Sequence, residues 1–138
     1  AVNSLGGYSC RYLTGSKTDT NRFSKLLPNY KETKFLKSLI GLCNIAETAN
    51  WLQHAELVIS VNTGIMHLAD SLEKPLIALH GPTNPLRWGP ISKNAHIITA
   101  TTPCAPCLNL GFDYACPSNN CMKSIDVSTV IKLLEKVC

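Results

Sequence analysis

Residues 60–90, SVNTGIMHLADSLEKPLIALHGPTNPLRWGP, decide the fold of this chain. The apolar run that begins at residues 57–61 is short and rich in β-branched side chains, which favours a buried strand. It ends in a turn at residues 62–64, and apolar residues then recur at helical spacing over residues 65–72. A second apolar run follows at residues 76–79. The stretch therefore predicts a right-handed βαβ unit with two parallel strands.

The rest of the chain continues this alternation on both sides of the βαβ unit. We predict strands at residues 9–13, 38–41 and 96–99, and helices at residues 21–27, 44–54 and 126–137. Asn44 with Glu47 forms a capping box for one helix, and Asp126 caps the last. The alternation predicts an α/β fold with a mainly parallel sheet flanked by helices. We expect residues 1–138 to form one domain, with a Cys-rich loop at about residues 102–122.

Composition and charge argue against several classes of protein. Hydrophobic residues make up 45% of the chain, but the longest apolar runs are far too short to span a membrane, which predicts a soluble protein. The start of the sequence does not have the pattern of a secretory signal. The net charge of +4 suits an anionic ligand or an acidic membrane surface, and the scattered basic residues argue against nucleic acid. Seven cysteines, an odd number, favour a reducing compartment.

The turn Asn62-Thr63-Gly64, together with His67, is the first candidate site. A helix that starts at a glycine offers free N–H groups and the positive end of its dipole to an anion such as phosphate. His67 lies one turn from the helix start and could donate a hydrogen bond to a phosphate or ribose oxygen. An equally weighted interpretation is a helix-capping turn with a histidine satisfied in the core.

Three other residue groups could reach the same ligand. Thr83 follows the second strand in a Gly-Pro-Thr-Asn-Pro turn, and Arg87 stands beside an aromatic residue. Ser16 and Lys17 follow the first strand, although their spacing is not that of a P-loop. The alternatives are an ordinary turn for Thr83 and a surface cation packed on an aromatic ring for Arg87.

Four cysteines lie close together in the Cys-rich loop. Cys104, Cys107, Cys116 and Cys121 are four thiols within eighteen residues, which could bind a structural zinc ion. The gap between the two pairs is shorter than in the usual zinc modules, so packed free thiols or disulfides formed on oxidation are favoured over zinc.

Residues 60–90 resemble the glycosyltransferase family that contains the bacterial ADP-heptose:lipopolysaccharide heptosyltransferases, glycosyltransferase family 9. That family shows a strand, an Asp-(Thr/Ser)-Gly turn, a histidine three residues on, and a later Gly-Pro-Thr-x-Pro turn. Thr63, Gly64, His67 and the turn at residues 81–85 match this pattern. The Cys-x-Pro-Cys and Cys-Met pairs downstream also look like those of many members. One position departs from the pattern, because Asn62 stands where the family usually has aspartate.

The resemblance implies the C-terminal half of a GT-B glycosyltransferase, a Rossmann-like domain that binds the nucleotide-sugar donor. Asn62, Thr63, Gly64 and His67 would contact the donor, which the family suggests is ADP-heptose. Asparagine brings no charge, so its contact with the sugar would differ from that of aspartate. The general base and the lipid-linked or lipopolysaccharide-core acceptor site would belong to an N-terminal domain absent from this chain, so the chain alone would be inactive. No cofactor is required, and the location implied is the cytoplasm, with peripheral association at the membrane.

Two other functions compete with this hypothesis. The first is a non-catalytic binding module that is organised by a metal in the Cys-rich loop and binds an acidic partner through its positive charge. The second is a nucleotide-sugar epimerase, which is less favoured because its sequence patterns are not the ones matched.

Overall fold

The structure, a computed structural model, describes residues 10–108 and 116–137. It divides into two compact units between Trp51 and Leu52, a boundary that falls inside a helix. The predicted α/β class is confirmed, since every pair of adjacent strands in the two described sheets is parallel. The assignment of residues 1–138 to one donor-binding domain stays a prediction.

The first unit contains a two-stranded parallel sheet and its connecting helix. Its elements are β1 (Arg11–Leu13), a 3-10 turn (Lys17–Asp19), α1 (Thr20–Leu26), β2 (Leu36–Ser38) and the start of α2 (Ile45–His54). The capping box predicted for α2 is confirmed: the Asn44 N–H donates to Glu47 Oε2 at 2.8 Å, and the Glu47 N–H donates to Asn44 Oδ1 at 3.0 Å.

The second unit contains a three-stranded parallel sheet in the order β3-β4-β5. Its elements are β3 (Val58–Val61), α3 (Gly64–Ser71), β4 (Leu76–His80), α4 (Pro85–Trp88), β5 (Ala95–Thr99), α5 (Asn120–Lys123) and α6 (Val127–Val137). Asp126 caps α6 as predicted, because its Oδ1 accepts from the Ser128 N–H at 3.2 Å. The predicted βαβ unit is the β3-α3-β4 segment.

The core of this unit lies between α3 and one face of the sheet. Its buried members are Leu52, Val58, Met66, Ala69, Leu76 and Ala78. Met66 and Ala69 are three residues apart and so lie on one face of α3. Leu76 and Ala78 are two residues apart and so lie on one face of β4. These two faces pack against each other as one apolar layer. This packing fixes α3 and thereby sets where its N-terminus lies.

The strand predicted at residues 38–41 is wrong in position. The paired segment is β2 at Leu36–Ser38, and Gly41 lies in the turn that follows. Lys37 sits in the middle of β2 with an exposed side chain, so the strand lacks a continuous apolar pattern. Gly41 has a φ of +72°, which belongs to a turn and not to a strand.

Replacing Gly41 with alanine should lower the free energy of unfolding by about 1 to 2 kcal/mol, the cost of a left-handed backbone at an L-residue. The added Cβ would also lie 3.1 Å from Thr20 Oγ1 and 3.2 Å from Lys17 Cα. Gly15→Ala is the matched control, because its Cβ would meet its nearest neighbours at an ordinary 3.4 Å. Urea unfolding of both variants tests the prediction, and equal losses would contradict it.

The short helix α4 at Pro85–Trp88 was not predicted. It is the next helix after β4 in the chain. Among the described residues, each helix is too short or too polar to cross a membrane.

Candidate functional site

Two loops leave the second sheet at neighbouring strand ends. Val61 at the end of β3 pairs with Leu79, and His80 is the last residue of β4. The turn at residues 62–64 and the loop at residues 81–85, which we call the β4 loop, therefore emerge at the same carboxyl edge. In parallel α/β sheets, ligands bind at this edge.

The N-terminus of α3 is open at this edge. Thr63 is the N-cap residue in extended conformation, but its side chain does not cap the helix. Its hydroxyl instead lies 3.3 Å from the Val61 carbonyl and 3.4 Å from Ser60 Oγ. A Cβ added to Gly64 would meet no atom within 4 Å. The first N–H groups of a helix have no partner inside the helix, so this end is suited to an anion.

His67 lies on α3 one turn beyond this opening. Its side chain is exposed, and its N–H donates to the Thr63 carbonyl at 3.3 Å, which closes the first turn of the helix. The alternative of a histidine satisfied in the core is therefore wrong for His67. Asn62, at the start of the turn, is half-buried. The structure thus brings Asn62, Thr63, Gly64 and His67 together at one helix start.

Asp70 connects α3 to the segment before β5 by hydrogen bonds. Asp70 is 7% exposed, and its carboxylate accepts from the Ile91 N–H at 2.9 Å and the Ser92 N–H at 3.0 Å. Burial on its own would raise the pKa of Asp70, but these N–H groups and the nearby His67 hold the pKa below its usual value. The charged carboxylate therefore stabilises the position of α3.

Thr83 faces inward in this structure. Its Oγ1 lies 3.0 Å from His80 Nδ1, and both side chains are buried. Burial lowers the pKa of His80, so this imidazole is neutral at neutral pH. His80 was not predicted as a site residue, although a histidine that ends an apolar strand three residues before a threonine was a visible signal.

Arg87 is exposed on α4, beside Trp88. Its guanidinium carbon lies 5.9 Å from the centroid of the Trp88 ring, which is the surface cation-π arrangement named as the alternative. A contact between Arg87 and a donor stays a prediction.

Ser16 and Lys17 lie in the first unit. The Ser16 hydroxyl donates to Asp19 Oδ2 at 2.6 Å, and the Ser16 N–H donates to the same oxygen at 2.9 Å. The hydrogen bonds from Ser16 are the main reason that the pKa of Asp19 is lowered. Ser16 thus stabilises the 3-10 turn, and donor binding by Ser16 or Lys17 stays a prediction.

The four cysteines of the Cys-rich loop do not form a metal centre in the described structure. Within residues 10–108 and 116–137, no three or more His, Cys, Asp or Glu side chains are grouped so that they could hold a metal ion. Cys104 and Cys107 are exposed free thiols, whereas Cys121 is a buried one. The hypothesis of a metal-organised binding module therefore gains no support from the arrangement of these thiols.

The Cys-rich loop is instead attached to the β4 loop. The Pro82 carbonyl accepts from the Cys107 N–H at 2.9 Å and from the Leu108 N–H at 2.8 Å. A Cβ on Gly81 would clash with Met122 Sδ and would lie 2.8 Å from Met122 Cγ and 3.2 Å from Cys121 Sγ, so the absence of a side chain at Gly81 allows this close approach. Both cysteine-bearing segments therefore pack against the loop that follows β4.

Comparison with known proteins agrees with the motifs at this edge. The model of glycosyltransferase family 9 (heptosyltransferase) matches residues 6–116. The chain belongs to glycosyltransferase family 9. Lipopolysaccharide heptosyltransferase 1 of Pseudomonas aeruginosa is 33% identical over 102 residues, which are 74% of this chain and 28% of that protein. Lipooligosaccharide heptosyltransferase 2 of Haemophilus influenzae is 37% identical over 65 residues, 47% of this chain and 19% of that protein.

Solved heptosyltransferase structures share the fold of this family 9 chain. The E. coli ADP-heptose lipopolysaccharide heptosyltransferase II superposes with a TM-score of 0.73 at 22% identity, over 95% of this chain and 36% of that one. The E. coli heptosyltransferase WaaC with ADP gives a TM-score of 0.67 at 23% identity, over 92% of this chain and 33% of that one. The predicted GT-B type of α/β fold is thus confirmed. The chain spans between about a fifth and a third of the length of these relatives.

Proposed function

We propose that this chain is the donor-binding part of a sugar-transferring enzyme and that its donor is ADP-heptose. The observation that carries the proposal is the open N-terminus of α3, where Thr63 does not cap the helix and Gly64 faces open space. A nucleoside diphosphate sugar carries its negative charge on the diphosphate, which is the group that such a helix end binds best. Relatives named heptosyltransferases, and a fold neighbour solved with ADP, support the choice of donor.

Gly64, His67 and Asn62 each have a distinct task in this proposal. The N–H groups that follow Gly64 bind diphosphate oxygens, and the absence of a side chain at Gly64 allows the phosphate to approach the backbone. His67 donates a hydrogen bond to the same group from the next turn of the helix. The Asn62 amide both donates and accepts, so it can bind a sugar hydroxyl without adding negative charge beside the diphosphate.

In the transfer step, a hydroxyl oxygen of the acceptor bonds to the sugar carbon as the bond between that carbon and the diphosphate breaks. The hydroxyl proton passes to a general base, and ADP leaves with its negative charge. The positive end of the α3 dipole and His67 would stabilise that charge as it develops. The remainder of a longer protein would bind the acceptor, a lipid-linked or lipopolysaccharide-core sugar, and would supply the general base that activates it. The reaction would then take place in the cytoplasm, beside the membrane that carries the acceptor, and without a cofactor.

Replacing Gly64 with alanine should separate ligand binding from folding. The added Cβ meets no protein atom, so the free energy of unfolding should not fall, whereas the affinity for ADP should drop about tenfold as the phosphate loses its close approach. Thr63→Val removes a hydroxyl that can donate to a phosphate oxygen at the helix start, and His67→Ala removes the imidazole, so both should weaken ADP binding as well. Isothermal titration calorimetry with ADP measures these affinities.

Thr101→Val is the control, because Thr101 is exposed and lies outside the turn. Its affinity for ADP should equal that of the unchanged protein. A folded, unchanged protein that does not bind ADP at millimolar concentration would contradict the proposed function. Unchanged affinity in all three variants, Gly64→Ala, Thr63→Val and His67→Ala, would contradict only the assignment of the site.

A further inference from the structure

His80 occupies an unusual position for a polar side chain. It ends the central strand β4, is 1% exposed and follows Leu76 and Ala78 on the strand face that packs against α3. Its Nδ1 lies 3.0 Å from Thr83 Oγ1, which is also buried. A buried imidazole therefore connects the end of the strand to the β4 loop.

Fold stability does not explain why this side chain is a histidine. Its Nε2 is buried and has no hydrogen-bond partner among the described residues, which carries a desolvation cost. An aromatic side chain without nitrogen atoms would fill similar space and avoid that cost. The group that the histidine does provide is Nδ1, which forms a hydrogen bond with the Thr83 hydroxyl.

The bond to Thr83 fixes one side of the β4 loop, and other contacts fix the rest. The carbonyl of the preceding residue, Pro82, accepts hydrogen bonds from two N–H groups of the Cys-rich loop. Thr83 itself forms an isolated parallel β-bridge with Leu108. Asn84 then caps α4, with its Oδ1 accepting from the Leu86 N–H at 3.0 Å. His80 supplies the side-chain anchor from inside the sheet.

We propose that His80 is a positioning residue for donor binding. Through Nδ1 it holds the Thr83 hydroxyl and so keeps the β4 loop beside the open N-terminus of α3, where the diphosphate binds. This inference rests on the proposed function. Thr83 is accordingly part of the support of the site and does not contact the donor.

The test compares ADP affinity with stability in a set of variants of the full chain. His80→Phe and Thr83→Val should each raise the Kd for ADP about tenfold. His80→Asn should stay within about threefold of the unchanged protein, because its amide lies near the place of Nδ1 and can still reach Thr83. The double variant His80→Phe/Thr83→Val should bind no more weakly than either single variant, because both remove the same contact.

Stability distinguishes positioning from a purely structural role. The double variant removes both polar groups from the interior, so its midpoint of urea unfolding should be at or above that of the unchanged protein, although its affinity is lower. His96→Asn, at an exposed histidine on β5, is the control and should change neither quantity. Affinity that follows stability across the set, with His80→Asn as impaired as His80→Phe, would overturn the inference.

The outcomes also separate the two proposals. If the unchanged protein binds ADP and His80→Phe and Thr83→Val bind it equally well, the role of His80 is refuted while the proposed function stands. If the folded, unchanged protein does not bind ADP, the proposed function falls, and the inference falls with it. Should a single variant fail to fold, the double variant and His80→Asn still decide.

Discussion

Leu76→Ala should lower the free energy of unfolding by about 2 to 5 kcal/mol, the range for large-to-small changes in a closed core. Leu76 is 0% exposed in the central strand and packs in the apolar layer that holds α3 against the sheet. The loss combines the transfer of the removed methyl groups and the cavity left behind. Because folded proteins are stable by only about 5 to 15 kcal/mol, a sizeable part of the total would be removed.

Leu86→Ala makes the same chemical change at a position that is 96% exposed. Its effect should remain within about 0.5 kcal/mol, as is usual for surface substitutions. Urea unfolding of the two variants compares burial alone, since the atoms removed are identical. Similar losses at both positions would show that α3 does not depend on this layer.

Asp70→Ala should cost about 3 kcal/mol, the upper end for hydrogen bonds to a charged group. The substitution leaves the Ile91 and Ser92 N–H groups without the carboxylate that accepts from both of them. Ser71→Ala, at the next and exposed position of α3, should have little effect. The free energy of unfolding is measured by urea unfolding at pH 7. If Asp70→Ala lowers it by less than about 1 kcal/mol, the hydrogen bonds between Asp70 and the segment before β5 do not stabilise the fold as predicted.

The same carboxylate should make stability depend on pH. Its pKa is lower in the folded protein than the usual value of about 3.9 for an unfolded chain. A lowered pKa means that Asp70 contributes stability that is fully present above about pH 3.9 and is lost as the pH falls through the folded pKa. Unfolding measured from pH 7 to pH 2 should therefore show a smaller acid dependence in Asp70→Ala than in the unchanged protein, and equal slopes would refute this contribution.

The parts of the fold that were predicted correctly depend on local sequence. The β3-α3-β4 unit follows from periodicity, and the capping residues Asn44 and Asp126 act on N–H groups two or three positions away. The turn at residues 62–64 and His67 were found in the same way, because strand, turn and helix follow one another directly. Local patterns were therefore sufficient to find the candidate site.

The features that were missed depend on tertiary contacts. Residues 36–38 form a strand because they pair with residues 11–13, and since only Leu36 among them is apolar, no apolar pattern in the sequence marks that pairing. The inward orientation of Thr83 depends on a histidine that is buried by the packing of α3 on the sheet. Asp70 similarly depends on N–H groups more than twenty residues away.

The strand order of the second unit also has a consequence for how the chain assembles. β3, β4 and β5 lie in the sheet in the order in which they occur in the sequence. Each strand pairs with the strand that precedes it in the sequence, so no pairing has to wait for a more distant part of the chain and each needs only one crossover connection. A chain that leaves the ribosome from its N-terminus can thus extend this sheet strand by strand, and the carboxyl edge that holds the candidate site is formed as soon as β4 joins β3.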